Sequence, residues 1–541
     1  MLLGMMLSLP KGWAQETVQR ERLTNLPHLY IDTKTGLPVT SKTEEVWAEL
    51  WLVDENDEVL YEDSIAIRGR GNSTWGLPKK PYRIKFREKT KFLGSDRANA
   101  KKWTLLANHA DKTLFRNALA SYVGDLCGQV FTPAAKFVDL TLNGEYLGNY
   151  QISDQIDVRK KRVHITEQDY PITEESNITG GYLLEIDGFA DFDEINRRDG
   201  FYASRSRIPV RIHYPDADEI VFDQWKYIRD HVNEFESRLF AYNFADSVWG
   251  YRAMVDSTSL VSWYLASEIT ANPDCLWSLY FYKEADDNRL FFGPMWDYDI
   301  AFGNDNRLAD YTTTGSRWNQ QKILQGNSEN KLMADYAHDN SGMRNWLQQM
   351  WKDPWFQQQV FGKYADLYVN GLEAKLLNKI DSLSTLLDES QQLNYQRWGI
   401  DKRYYNEVVL FSTYDEYVTD LKTYVSARVT NLLKHFANRQ SEYVDINAII
   451  DAANSNDNSV VNIFDDTPDY ALAYNSESHR LHFGADSLSD LDFTARVYDA
   501  GGREVLSFKA SEGADVGSLR PGIYVVNWKS NGRSRSVKFI R

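Results

Sequence analysis

Short apolar runs parted by turn residues fill the stretch 26–91: Leu29-Tyr30-Ile31, residues 46–53, Ile65-Ala66-Ile67 and Tyr82-Arg83-Ile84-Lys85-Phe86. Runs of that length, broken that way, predict β-strands. On the last of them a two-residue period sets Tyr82, Ile84 and Phe86 on one face and turns Arg83 and Lys85 to the other. If the first face is core, Lys85 faces a cleft. From 112 to 130 the period lengthens, with Leu114, Ala118, Tyr122 and Leu126 at helical spacing behind a capping Asp111. Strands resume over 137–142, reverse at Asn143-Gly144 and return over 146–152, a strong hairpin signal.

A helix over 256–272 must stop before Pro273, which disfavours helical geometry in the preceding residue and so leaves Asp274 in a loop. Residues 279–283 and 289–292 predict a hairpin whose far end delivers Asp297 to the same rim as Asp274. The chain is polar and irregular from Gly303 to about 342, and helical beyond. There Tyr417, Leu421, Tyr424, Val425, Arg428, Val429, Leu432, Leu433 and Phe436 trace one core-facing stripe. Residues 441–470, rich in Asp, Asn and Ser, read as a linker. Strands at 494–498, 505–508, 522–528 and 536–540, with a Gly501-Gly502 turn, then predict a small all-β sandwich. The fold class is therefore α+β, with a β-rich amino-terminal part, a helical part after it and the sandwich last.

The chain's 541 residues exceed what one hydrophobic core supports, so two folding units are expected. A formal charge of −16 opposes the attraction that nucleic acids require, which argues against DNA or RNA as partners. Two cysteines, Cys127 and Cys275, exclude a disulfide scaffold though not a single bridge, and two lone buried thiols are the expected outcome. The run Leu2-Leu3-Gly4-Met5-Met6-Leu7-Ser8-Leu9, followed by Gly12-Trp13-Ala14-Gln15, looks like the apolar part and cleavage region of a secretory signal within residues 1–20. It is too short to span a bilayer, and no later segment is long and uncharged enough, so export without a transmembrane anchor is expected.

The chemistry concentrates in Asn272-Pro273-Asp274 and in Pro294-Met295-Trp296-Asp297-Tyr298-Asp299-Ile300-Ala301-Phe302-Gly303-Asn304. Two separated carboxylates at the ends of extended elements suit phosphoryl transfer, where one orients a hydroxyl and the other holds a divalent ion on a polyphosphate. Upstream, Arg68-Gly69-Arg70-Gly71 and Lys79-Lys80 supply glycines for close backbone approach and cations for phosphate. A bland reading stands beside this one: Asp297 and Asp299 can equally cap a turn or form a structural calcium site. His109 and His164 lack metal-ligand partners at suggestive spacing. No Gly-x-Ser-x-Gly or His-Glu-x-x-His arrangement supports a hydrolase, and the tryptophans and tyrosines could instead bind glycans.

Taken in order, Ile67-Arg68-Gly69-Arg70-Gly71-Asn72-Ser73-Thr74-Trp75, Lys79-Lys80-Pro81-Tyr82-Arg83-Ile84-Lys85-Phe86, Leu105-Leu106-Ala107-Asn108 with Asp111 and Arg116-Asn117, Asn143-Gly144-Glu145-Tyr146-Leu147-Gly148, Gly180-Gly181-Tyr182-Leu183-Leu184-Glu185, and the stretch from Trp296 to Gly303 resemble the CotH kinase family. Those are secreted or spore-coat proteins with an atypical protein-kinase-like fold, and the resemblance covers residues 26–437. The segment 471–541, above all Leu519-Arg520-Pro521-Gly522-Ile523-Tyr524-Val525-Val526, is similar to type A sorting domains of Bacteroidetes type IX secretion, which implies an export-machinery partner and a secreted or cell-surface location.

The first resemblance implies ATP- and Mg2+-dependent phosphate transfer to serine or threonine of a protein substrate. Asp274 would be the catalytic-loop aspartate, Asp297 the metal-binding aspartate with Asp299 beside it, and Lys85 the phosphate-neutralising lysine, helped by Arg68 and Lys80. Asp154-Gln155 falls at the expected adenine hinge, where many relatives carry Glu-Gln, and Ser278 stands where a second-metal asparagine is expected. The rival classes are a noncatalytic adhesion or glycan-binding protein that keeps the fold, which predicts no magnesium-dependent ATP binding, and a metal-dependent hydrolase, which predicts phosphate release without a phosphorylated acceptor.

Overall fold

The computed structural model describes residues 20–187, 198–305, 346–405, 407 and 409–438, and beyond them 471–475, 478–484, 493–499, 503–520, 523–530 and 533–540. The expected leader up to residue 19, the irregular stretch beyond Asp305, the linker over 441–470 and the Gly501-Gly502 turn lie outside the described residues. The order of elements is mixed α+β. Strands β1 (His28–Thr33), β2 (Val46–Val53), β3 (Val59–Gly69), β4 (Tyr82–Thr90) and β5 (Ala100–Leu106) precede α1 (Arg116–Cys127), and β6 (Lys136–Leu142) and β7 (Glu145–Asp154) follow it. Next come β8 (Tyr182–Ile186), β9 (Gly200–Tyr202), β10 (Pro209–Tyr214), α2 (Phe222–Leu239), α3 (Ser257–Thr270), β11 (Leu279–Lys283) and β12 (Leu290–Phe292). Helices α4 (Trp346–Met350), α5 (Pro354–Val369), α6 (Leu372–Leu386), α7 (Asp388–Trp398) and α8 (Tyr414–Asn438) lead to the strands of the carboxy-terminal part.

One compact unit gathers the residues up to His109, Ala134–Gln155 and Leu383–Lys402. Its strands close a barrel in the order β1-β2-β3-β4-β5-β7-β6, antiparallel except where β1 meets β6. Closure leaves no open sheet edge. Ile67, Ile84, Phe86, Trp103, Leu140 and Ile152 are among the side chains that fill its core, so the Tyr82-Ile84-Phe86 face is the inner one, as the alternation predicts. Asn143 and Gly144 turn the β6–β7 hairpin with φ of 52° and 76°, the left-handed pair that a two-residue hairpin loop requires.

Helix α7 docks on β7 through polar groups. Ser390 Oγ donates to Asp139 Oδ1 (2.7 Å) and accepts from Asn149 Nδ2 (2.9 Å), while Trp398 Nε1 donates to the Leu147 carbonyl (2.9 Å). Gly148 makes the close approach possible. It sits at φ 106°, and a Cβ there would stand 2.5 Å from Asn394 Oδ1.

Lys79 lies fully inside this network, donating from Nζ to Asn394 Oδ1 (2.9 Å) and to the Asn149 carbonyl. Burial pulls its ammonium down to about 7 against the opposing pull of Asp139. In the unfolded chain a lysine keeps its proton to about pH 10.4. Above pH 7 the unfolded state therefore binds a proton that the fold does not, and stability rises with pH; below pH 7 both states are protonated and the burial penalty is fully present. The stability of wild type relative to Lys79→Met should rise by about 2 kcal/mol from pH 7 to pH 9. Urea midpoints at the two pH values measure it, and a constant difference would contradict a depressed Lys79.

The other compact unit gathers Ala110–Pro133, Ile156–Ser382 and Arg403 onward. Its five-stranded sheet runs β12-β11-β8-β10-β9, with β11 and β12 paired as the expected hairpin. The expected helix over 112–130 is shorter. Asp111 accepts from the Thr113 N–H (2.9 Å) and the Arg116 N–H (2.7 Å), and Leu114 sits at φ 69°, so the carboxylate organises a turn and α1 begins only at Arg116. Its buried face is Leu119, Val123 and Cys127, with Ala118, in place of the predicted Tyr122 and Leu126. The stripe on α8 is as expected, with Tyr417, Leu421, Tyr424, Val425, Arg428, Val429, Leu432 and Phe436 buried; Leu433 is half-buried. Cys127 and Cys275 are free and buried.

In the carboxy-terminal part, β13 (Ala471–Asn475), β14 (Arg480–Gly484) and β17 (Ala514–Asp515) form one sheet. A second sheet runs β16 (Glu504–Lys509), β15 (Thr494–Asp499), β18 (Ile523–Ser530), β19 (Arg533–Ile540). Leu481 and Phe483 of the first join Val497, Val526 and Trp528 of the second in one buried cluster.

Candidate active site

Helix α3 starts on Asp256, whose side chain accepts from the Ser259 N–H (2.8 Å), and stops at Ala271, which is left-handed at φ 50°. Pro273 follows, so the chain leaves the helix where the sequence demands. Asn272, 1% exposed, then ties two loops together. Its Oδ1 accepts from the Asp274 N–H (3.0 Å), and its Nδ2 donates to the Asp297 carbonyl (3.4 Å). The backbones of the two loops that carry Asp274 and Asp297 are thus joined through one asparagine.

The second loop is fastened along its length. The Tyr298 N–H donates to Asn117 Oδ1 (2.8 Å), its hydroxyl meets Ser267 Oγ at 2.9 Å, and the Phe302 N–H donates to the Thr270 carbonyl (2.6 Å). Asn304 Nδ2 donates to the carbonyls of Asp299 and Ala110, both at 2.9 Å. Burial pushes the Tyr298 phenol up, so the hydroxyl keeps its proton and the tie to α3 holds across the neutral range. Asp297 is exposed and Asp299 buried.

Four non-glycine residues of these loops, Ala271, Ser278, Asp297 and Phe302, take φ of 50–67°. Each such residue costs of order 1–3 kcal/mol, and such strain gathers at functional sites. Aspartate tolerates the left-handed region better than most residues, because its short polar side chain bonds locally. The loops therefore hold Asp297 in a conformation fixed by its neighbours.

The remaining expected site residues belong to the barrel unit. Arg68 and Lys85 share its outer face: Arg68 pairs with Arg83 across β3–β4, and Lys85 pairs with Ala66, two positions along. Lys85 Nζ lies 3.9 Å from Glu45 Oε2. Lys80 stands apart, before β4, with Nζ donating to the Trp75 carbonyl (2.8 Å) above the Trp75 ring. Asp154 is buried at the end of β7, accepting from the Ala134 N–H (3.0 Å), and Gln155 is half-buried after it.

Magnesium dehydrates reluctantly and is usually held by one or two carboxylates with substrate phosphates completing its shell. Asp297 and Asp299 offer that number and kind of donor. An all-protein cage of the calcium type needs more oxygens, and among the described residues no group of three or more His, Cys, Asp or Glu is placed to hold a metal. The donor set suits a cation that arrives with a nucleotide.

A family model described as CotH kinase protein matches residues 67–485. The chain belongs to the CotH kinase family. The match takes in every residue singled out above from Arg68 to Asp299, and it begins later and ends later than the 26–437 span expected from the motifs. No curated protein matches this CotH-family chain. Among the described residues no helix is long and apolar enough to cross a membrane. What the motifs did not reveal in this CotH kinase protein is the role of Asn272, Asn117 and Asn304 as fasteners. For Asn272 and Asn117 the signal was an asparagine beside a helix end.

Proposed function

We propose that this CotH-family protein is an atypical kinase that transfers the γ-phosphate of ATP to serine or threonine of extracytoplasmic proteins. The observation that carries the reading is the fastening of the Asp274 and Asp297 loops through Asn272 in a chain of this family. Asp274 accepts the proton of the attacking hydroxyl and aligns it. Asp297, with Asp299, would hold the magnesium that the nucleotide brings. Bound there, the ion would neutralise charge on the phosphate oxygens. Arg68 and Lys85, with Lys80, bind the phosphates, while Asp154 and Gln155 meet the base. The kinase-like architecture, the carboxy-terminal sandwich and its use as a type IX sorting signal, and delivery to the cell exterior are parts of the same proposal.

Titration calorimetry tests it. Wild type should bind Mg-ATP, and Lys85→Ala should bind it roughly 10- to 100-fold more weakly, the worth of about 1.5–3 kcal/mol for one charge-assisted contact. Absence of heat in both proteins would favour the noncatalytic reading. That rival draws on one feature: Tyr242 is 99% and Trp249 70% exposed, with Asp246 Oδ1 accepting from the Val248 and Trp249 N–H groups (2.8 and 2.7 Å) to hold the tip. Exposed aromatic faces of that kind can stack on sugars.

A further inference from the structure

Four residues in direct cross-strand register form one row on the outer face of the barrel: Arg68 on β3, Arg83 on β4, Thr104 on β5 and Ser153 on β7. Residues paired this way stand on the same side of the sheet, and like charges placed opposite each other destabilise it. Glu45, just before β2, is set against the two arginines: it accepts from Arg83 Nη2 (2.5 Å) and its other oxygen lies near Lys85. Arg68 Nε, Arg83 Nε and Ser153 Oγ are all buried with no hydrogen-bond partner among the described residues. A buried polar group left unpaired destabilises the fold. The two guanidinium Nε groups stand on residues paired directly across β3–β4, and together they favour an anionic ligand there. Burial, and then the charge of Arg83, pull the Arg68 guanidinium down despite Glu45, the direction expected of a cation short of counter-charge.

We propose that Arg68 and Arg83 together form the polyphosphate subsite, with Arg83 as a binding residue beside Lys85, and that Glu45 is an internal counter-ion displaced by the incoming phosphate. The inference rests on the kinase reading for the identity of the ligand, and on the row itself for its location. A guanidinium fork matches two phosphate oxygens at once, which an ammonium cannot do. The row leads away from the arginines through Thr104 to Ser153, the residue before Asp154 and Gln155. Neighbouring strands lie about 4.8 Å apart, so it spans roughly 14 Å.

The test titrates the full chain with Mg-ATP and, separately, with tripolyphosphate. Arg83→Gln should weaken both at least tenfold without shifting the melting temperature beyond that of a surface control, Lys101→Gln. Glu45→Gln should tighten both several-fold. Arg83→Lys keeps the charge but not the fork, so it should retain only part of the affinity, and it replaces Arg83→Gln if that variant does not fold. Mg-ATP binding that is unchanged in the Arg83 variants overturns the subsite and leaves the kinase reading standing. Tripolyphosphate binding that depends on Arg83 while ATP gives no heat supports the subsite and overturns the nucleotide. Weaker or unchanged binding in Glu45→Gln overturns the counter-ion role, and no binding of either ligand to wild type overturns both.

Discussion

Asp297→Asn should fold as wild type does and lose roughly 30- to 1000-fold in kcat/KM, the equivalent of ~2–4 kcal/mol of transition-state stabilisation for one preorganised charged group. Asparagine is the informative replacement. It tolerates φ of 67° as aspartate does, so the loop conformation survives and only the charge is removed. Alanine at the same place would add backbone strain and confuse two effects. The loop is held by contacts that this change leaves alone: the Tyr298 N–H on Asn117, the Tyr298 hydroxyl on Ser267 and the Phe302 N–H on Thr270. Circular dichroism and a melting curve establish the fold, and phosphate-transfer rates give the loss. A variant with full activity would remove Asp297 from the metal role.

Arg428→Met should cost about 3–5 kcal/mol of stability, because it strands a buried carboxylate. Arg428 and Glu268 are both within 1% of complete burial. Arg428 Nε donates to the Glu268 carbonyl (2.8 Å) and Nη2 to its Oε2 (2.8 Å), while the Tyr264 hydroxyl donates to Oε1 (2.7 Å). Removing the arginine takes the cation away from the Glu268 carboxylate and leaves the Tyr264 hydroxyl donating to Oε1. The double variant Glu268→Gln, Arg428→Met should recover much of the loss, since a buried pair is expensive chiefly when broken on one side. Glu268 lies near the end of α3, whose Ser267 and Thr270 are the points to which the Asp297 loop is tied. Activity should therefore fall in Arg428→Met at temperatures below its melting transition. Urea midpoints that match wild type would refute the buried pair.

The parts of this fold that a sequence states plainly are local ones. Pro273 ends α3 because a proline constrains the residue before it, and Asn143-Gly144 turns a hairpin because those residues accept left-handed angles. The alternation over Tyr82 to Phe86 separated inner from outer face, and the motif order named the family. Closure of the barrel was not legible, since β1 meets β6 in parallel register across more than a hundred residues and no local pattern records such a pairing. Helix α7 was hidden for another reason: it docks with Ser390 and Asn394, so its buried face carries no hydrophobic period. The start of α1 was misplaced because Asp111 caps a turn in which Leu114 is left-handed, a tertiary preference that overrides spacing. The fastening role of Asn272 depends on two loops meeting, which single-chain periodicity does not encode. Arg83 was seen only as the outward neighbour of Lys85; its orphaned Nε became meaningful once Arg68 stood opposite.

The measurement that bears most directly on this account follows the γ-phosphate itself. Purified wild-type protein, magnesium and γ-labelled ATP are incubated with candidate secreted acceptors, alongside Asp274→Asn. Label on serine or threonine of an acceptor or of the chain, lost in Asp274→Asn, is the predicted result. Label recovered only as free phosphate, or protein label that persists in Asp274→Asn, would contradict it.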